Sequence, residues 1–261
     1  MNTKPVLRWP GGKTRLLKQI LPLFRPHTCY VKERSKIEVV NDLNGDVVGL
    51  YRCAQFHLEA LISEIQWMLS SRQNLKDYLA QPGLTDLQRA ARFLIRNRTS
   101  FAGGGSSYAV AKSGGGGAGV SRETVVELLR ALSLRLDKVS VENAPYERIL
   151  RNYDAPATLF FLDPPYVGND TSNYDAWQEA QMTDFAERVR DLEGDWIVTV
   201  NDSPQTRKLF RDHDITPLVT KSGTVNHRTA KGATFGELII RRKVTPKVVK
   251  VSMAADLRAA A

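Results

Sequence analysis

The stretch TLFFLDPPY, residues 158–166, decides the reading of this chain. Thr158 to Leu162 is a short apolar run bounded by turn residues, long enough for a buried strand and too short for a helix. Pro164 and Pro165 cannot continue a ladder, because neither has an N–H and each fixes φ at about −65°. The strand therefore ends in a rigid turn that presents the Asp163 carboxylate, the Pro164 carbonyl and the Tyr166 ring at fixed mutual positions. Open α/β sheets build their sites at that end of their strands. Two acceptors beside an aromatic face suit a ring that carries an exocyclic amine; an ordinary Asp-Pro turn with a packed tyrosine is the structural alternative.

The same strand–turn–helix rhythm recurs on both sides. Upstream, Ile37 to Val40 reads as a strand ending in the polar cluster NDLNGD, residues 41–46, and Val47 to Leu69 has helix-period apolar spacing. Before that, Pro10 to Lys13 is a turn that leads into a helical pattern through Leu16, Leu17 and Ile20. Downstream come a helix from about Ala176 to Asp191, a strand at Trp196 to Val200, a helix at Thr206 to His213 and a strand through Glu237 to Arg241. From about Leu50 to Leu150 the character changes: helices are predicted at Ala54 to Leu69, Thr85 to Asn97 and Ser121 to Leu136, with no convincing strand. The glycine-rich stretch Phe101 to Gly119 has too few apolar side chains to pack as a core element. The expected fold is α/β, an open sheet interrupted by a helical insertion.

Composition narrows the function classes. With 261 residues and 42% hydrophobic content the chain can bury a core without staples. Cys29 and Cys53 lie in apolar contexts with no metal-ligand spacing, so neither a disulfide nor a structural zinc is expected. No apolar run reaches the roughly 20 residues of a membrane span, and the start lacks a signal-peptide pattern. A cytoplasmic protein is expected, without membrane or metal partner. A net charge of +9 agrees with a polyanionic partner but does not require one.

With the DPPY turn, the chain resembles the Dam-type, D12 class DNA adenine-N6 methyltransferases, and the resemblance runs over nearly its whole length. Trp9-Pro10-Gly11-Gly12-Lys13 matches the family's N-terminal element, which helps hold S-adenosylmethionine (SAM). Paired glycines let backbone approach a ligand, Lys13 can meet a carboxylate and Trp9 can offer an apolar wall. Taken alone, the element is also a plain turn before a helix. Asp42 matches the acidic turn that accepts the ribose hydroxyls of SAM, although Asp42 or Asn44 can equally cap a helix. The resemblance implies a Rossmann-like methyltransferase sheet and methyl transfer from SAM to the N6 of an adenine flipped out of duplex DNA. Asp163, Pro164, Pro165 and Tyr166 are then the catalytic turn, with Asp163 also beside the cofactor. A base must leave the stack for such chemistry, and Tyr166 offers a face to receive it. Thr199-Val200-Asn201-Asp202-Ser203 resembles a late family strand and turn beside the base pocket; a capped helix start explains it nearly as well.

The methyltransferase domain is expected at 1–50 and 150–245, a DNA-recognition insertion at 51–149 and a basic, alanine-rich tail at 246–261. Within the insertion, Arg89, Arg92 and Arg96 recur at helical spacing, and with Arg98 and Lys112 they suit phosphate contact; a solvated helix face with a flexible linker is the alternative. One departure stands out. The family has an acidic-aromatic, glycine-rich loop after its first strand, beneath the methionine part of SAM. Here Cys29-Tyr30-Val31 passes through Lys32 to Lys36 straight to the Ile37 strand. A parallel crossover needs roughly ten residues or more, so the loop and the start of a helix are missing. This motivates a second expectation, a catalytically impaired member that binds DNA or a protein.

Overall fold

The computed structural model describes residues 5–8, 13, 16–23, 35–110, 121–167, 177–221 and 234–243. Its elements mix helices and strands: α1 (Leu17–Ile20) with a 3-10 turn at Leu21–Leu23, β1 (Glu38–Asn41), α2 (Gly45–Phe56), α3 (Leu58–Gln66), α4 (Arg72–Ala80), α5 (Asp86–Thr99), α6 (Arg122–Leu136), β2 (Val139–Glu142), α7 (Tyr146–Tyr153), β3 (Leu159–Leu162), α8 (Glu179–Asp191), β4 (Asp195–Asn201), α9 (Pro204–Leu209), β5 (Asp214–Lys221) and β6 (Thr234–Arg241).

Polar caps explain where many helices begin. Asn44, Ser71, Thr85, Ser121 and Ser203 each accept a backbone N–H from the first turn that follows, satisfying donors a helix start leaves orphaned. The single helix predicted from Val47 to Leu69 is two helices, broken at His57, whose φ of −134° leaves the helical region. Apolar spacing did not reveal the break, because Leu61 and Ile65 of α3 enter the same core as Leu50 and Cys53 of α2. Helices α4 and α7 were not predicted; α4 buries only Leu75 and α7 only Leu150, too little to leave a periodic signature.

The strands correct the expectation of a strandless stretch between Leu50 and Leu150. β2 lies inside it and pairs in parallel with β1, Glu38 opposite Val139 through Asn41 opposite Glu142. Its sequence, VSVE, holds only two apolar residues and no apolar run to mark it. β5, also unpredicted, pairs antiparallel with β6. Among the described residues the strands form two sheets: β1–β2, and a four-stranded sheet in the order β3-β4-β6-β5. Within the second, β3 and β4 run parallel and β6 enters antiparallel to β4 and β5.

Alternation along β4 gives that sheet two buried faces. Trp196, Val198 and Val200 join Phe160, Leu238 and Ile240 against Met182, Phe185 and Val189 of α8. Ile197, between them, faces the other way and joins Ile239 and Leu218 under Leu16 and Ile20. The short N-terminal helix thus lies across one sheet face, and residue 13 arrives at the carboxyl end of β3. A separate core unites α2, α3, α5 and α6, and Val6 and Leu7 of the N-terminal segment are buried in it.

Candidate active site

β3 and β4 place the central residues. Their parallel register sets Phe161 beside Ile197, so the next same-face pair, one pleat on, is Asp163 and Thr199. The Thr199 hydroxyl donates to Asp163 Oδ1 at 2.9 Å. Lys13 Nζ lies 3.1 Å from the same carboxylate oxygen and 2.5 Å from Glu237 Oε1. It also donates to the Tyr166 hydroxyl oxygen at 2.7 Å and sits 5.1 Å from the centre of that ring. The Tyr166 hydroxyl in turn donates to Glu237. Pro164 is buried beneath the turn, while Pro165 and Tyr166 are half-buried.

The electrostatics follow from this packing. Asp163 keeps 40% of its side-chain surface open, whereas Lys13 and Glu237 keep 13% and 12%. Although open on one side, the Asp163 carboxyl is crowded by protein that strips water from it, and this raises its pKa above the ordinary carboxylate value. Lys13 and the Thr199 hydroxyl pull it back down, and Glu237 pushes it up. The Tyr166 hydroxyl is driven far up by burial and by the Asp163 and Glu237 charges, so it stays a donor. One ammonium faces two carboxylates, an excess of negative charge at the mouth of the turn.

Of the residues predicted for this site, the structure brings Lys13, Asp163, Pro164 and Tyr166 together. Trp9, Gly11 and Gly12 lie outside the described residues. Asp42 stands at the carboxyl end of β1, in the other sheet, where its Oδ1 accepts the Asn44 N–H at 2.8 Å. The capping role falls to Asn44, whose side chain accepts from the Asp46 N–H. Thr199 was read only as part of a strand and turn beside the base pocket, with no role of its own, and Glu237 was missed as a site residue. Each is the one polar side chain inside an otherwise apolar strand core, and that was a usable signal.

The predicted phosphate-contacting arginines are tied into the fold to different degrees. Arg89 is 46% exposed and pairs with Asp86. Arg92 donates to the Gln81 carbonyl at 2.7 Å and lies over the Tyr78 ring. Arg98 donates to the Val6 carbonyl at 3.2 Å, and Arg96 reaches toward the Gly105 carbonyl. Burial lowers the pKa of both Arg96 and Arg98. Lys112 lies outside the described residues. Sequence reasoning also missed Asn97, buried at the end of α5. Its Oδ1 accepts the Arg8 N–H at 2.7 Å, and its Nδ2 donates to the carbonyls of Arg8 and Gly103 at 2.7 and 2.9 Å. It fastens the segment that leads into residue 13.

A family model described as the D12 class N6 adenine-specific DNA methyltransferase matches residues 9–222, from the N-terminal element through the DPPY turn to the end of β5. The chain belongs to that family. Among curated relatives of this methyltransferase, the Type II methyltransferase M1.LlaDCHI of Lactococcus lactis subsp. cremoris is 23% identical over 254 residues, covering 82% of this chain and 87% of the relative. The Type II methyltransferase M.MjaIII of Methanocaldococcus jannaschii is 23% identical over 225 residues, covering 70% and 76%. A DNA N-6-adenine-methyltransferase of Escherichia phage P1 is 26% identical over 117 residues, covering 38% of this chain and 16% of the relative. Family membership carries with it DNA as substrate and a methyl donor. No helix among the described residues is long and apolar enough to cross a membrane.

Proposed function

We propose that this family member transfers a methyl group from SAM to the N6 of an adenine flipped out of duplex DNA, in the cytoplasm. The observation that carries the reading is the Asp163 carboxylate, at the carboxyl end of β3, held from one side by Thr199 and Lys13 and open on the other beside the Tyr166 ring.

An adenine amine is a weak nucleophile because its lone pair is delocalised into the ring. Asp163 and the Pro164 carbonyl accept its two N–H bonds and draw the nitrogen toward tetrahedral geometry, freeing the lone pair. Tyr166 stacks the base, a contact worth roughly 1–3 kcal/mol. The donor supplies an electrophilic methyl on a positively charged sulfur. With SAM bound, the S–C electron pair would stay on sulfur as the amine nitrogen takes the methyl, and the extra amine proton would leave to water past Asp163. Positive charge develops on the amine during transfer, and the excess negative charge of Asp163 and Glu237 over Lys13 stabilises it.

Lys13 and Asp42, with Trp9, Gly11 and Gly12, are the residues proposed to hold SAM; DNA phosphates are assigned to Arg89, Arg92, Arg96, Arg98 and Lys112, with Arg89 the most exposed of those described. The two sheets are proposed to be the halves of one Rossmann-like sheet, and α2 to α6 to form the recognition layer over DNA. Labelled SAM incubated with mixed duplex DNA tests the reading: label recovered as N6-methyladenine supports it, and none at any enzyme concentration refutes it. The missing loop favours the impaired alternative, and calorimetry separates the two, since a protein that only binds DNA or a partner shows no saturable uptake of SAM.

A further inference from the structure

We propose that Glu237 is a positioning residue of this reaction: from β6 it takes the Tyr166 hydroxyl and shares the Lys13 ammonium, fixing the ring and the cation that flank Asp163. The inference rests on the methyl-transfer reading and extends it to a residue outside the DPPY turn.

Glu237 sits where a carboxylate is costly. Its strand neighbours Leu238, Ile239 and Ile240 are buried, and a charge in such surroundings persists only if it is paired. Its partners are both site residues, Lys13 and Tyr166. Backbone geometry holds it there. Glu237 is registered opposite Asn201 of β4, and a Cβ on the preceding Gly236 would come within 2.8 Å of the Asp202 Cβ, so β6 lies close against the turn that follows β4. The side chain therefore enters the site from the antiparallel strand, while Asp163 enters from the parallel one.

Two consequences follow for the reaction. Glu237 anchors the hydroxyl end of Tyr166, which sets the angle of the face offered to the base. It also competes with Asp163 for Lys13: the ammonium lies nearer Glu237, at 2.5 Å, than Asp163, at 3.1 Å. Without that competitor Lys13 closes on Asp163 and occupies the acceptor that the adenine amine needs.

The experiment measures kcat, KM for DNA and the pH profile of methyl transfer for the wild type, Glu237→Gln, Glu237→Asp, Tyr166→Phe and Glu237→Gln/Tyr166→Phe, with SAM and genomic DNA free of N6-methyladenine. Expected for Glu237→Gln is a kcat about ten- to a hundredfold lower, the loss of one charge-assisted contact, with partial recovery in Glu237→Asp. The acid limb of its profile moves to lower pH, because a negative charge beside Asp163 is gone while Lys13 and Thr199 remain; a purely structural role leaves the limb in place. The double variant is expected to fall short of the product of the single losses, since both break one link. A Glu237→Gln enzyme with wild-type kcat and an unshifted limb overturns the inference alone. A wild type that transfers no methyl overturns the proposed function and the inference together. If Glu237→Gln does not fold, Tyr166→Phe decides, and an unchanged kcat in it overturns the inference.

Discussion

In the proposed reaction Asp163 meets two opposed demands, since it accepts an amine best when ionised yet is packed where ionisation is disfavoured. Burial raises its pKa against the pull of Lys13 and Thr199. A raised carboxyl favours the folded state most below its unfolded pKa of 3.8, and that contribution is lost as the pH climbs through the folded value. The wild type is therefore expected to lose thermal stability relative to Asp163→Asn as pH rises from 4 toward neutrality, as a series of melting curves can show; a pH-independent difference would remove the desolvation argument. Catalysis runs the other way, and methyl transfer should rise over the same window as the acceptor ionises. At this scale the DPPY turn was legible because two prolines after an apolar run admit few backbone paths. Glu237 was visible only as a lone polar residue in an apolar strand; its partners were not, because it lies 71 positions away from Tyr166 in sequence.

Elements bring these residues together, and the least conspicuous of them is the N-terminal segment. Its backbone at Arg8 is clamped by Asn97, and Gly103 approaches so closely, with φ +78°, that a Cβ there would overlap the Arg8 carbonyl oxygen. Asn97→Ala removes the partner of the Arg8 N–H and of the Arg8 and Gly103 carbonyls, in part-buried to buried surroundings, at up to about 1–3 kcal/mol for a group left fully unsatisfied. The expected result is a lower melting temperature together with weakened SAM uptake, because the released segment carries Lys13; a loss of stability with SAM affinity untouched would show that the clamp does not serve the site. The strands at Glu38–Asn41, Leu159–Leu162 and Asp195–Asn201 could be read from short apolar runs, and the helices at 86–99 and 122–136 from helical periodicity, since both helices turn apolar residues into one core. β2 and β5 could not. β2, VSVE, holds only two apolar residues, and in β5 Pro217 interrupts a run whose pairing with β6 depends on residues distant in sequence. The arginines of α5 show the same limit: their spacing was visible, but only the fold shows that Arg98 reaches the Val6 carbonyl.

On the scale of the molecule, a helical core and a sheet core are linked through the N-terminal segment, which is buried in the first at Val6 and Leu7 and crosses the second at Leu16 and Ile20. A chain of net charge +9 that binds DNA through phosphates should lose affinity steeply with salt, at least about tenfold between 50 and 200 mM, and reversing the charge of Arg89 and Arg92 should weaken binding alike on all sequences. Salt-independent affinity would take the helical layer out of the DNA interface. The short link from Val31 to Ile37 bears on the donor instead. On the reading that the family's glycine-rich loop is absent, the chain should bind SAM roughly one to three powers of ten more weakly than a relative that has it, and inserting such a loop after Val31 should recover the difference in a calorimetric titration. Low-micromolar binding by the native chain would mean that another segment forms the cradle. The central claim, that Asp163 presents an adenine amine for methylation, is tested most directly by digesting DNA after incubation with labelled SAM and either the wild type or folded Asp163→Ala. The account predicts label in N6-methyladenine with the wild type and none with the variant; label from the folded variant, or from the wild type in any other base, would contradict it.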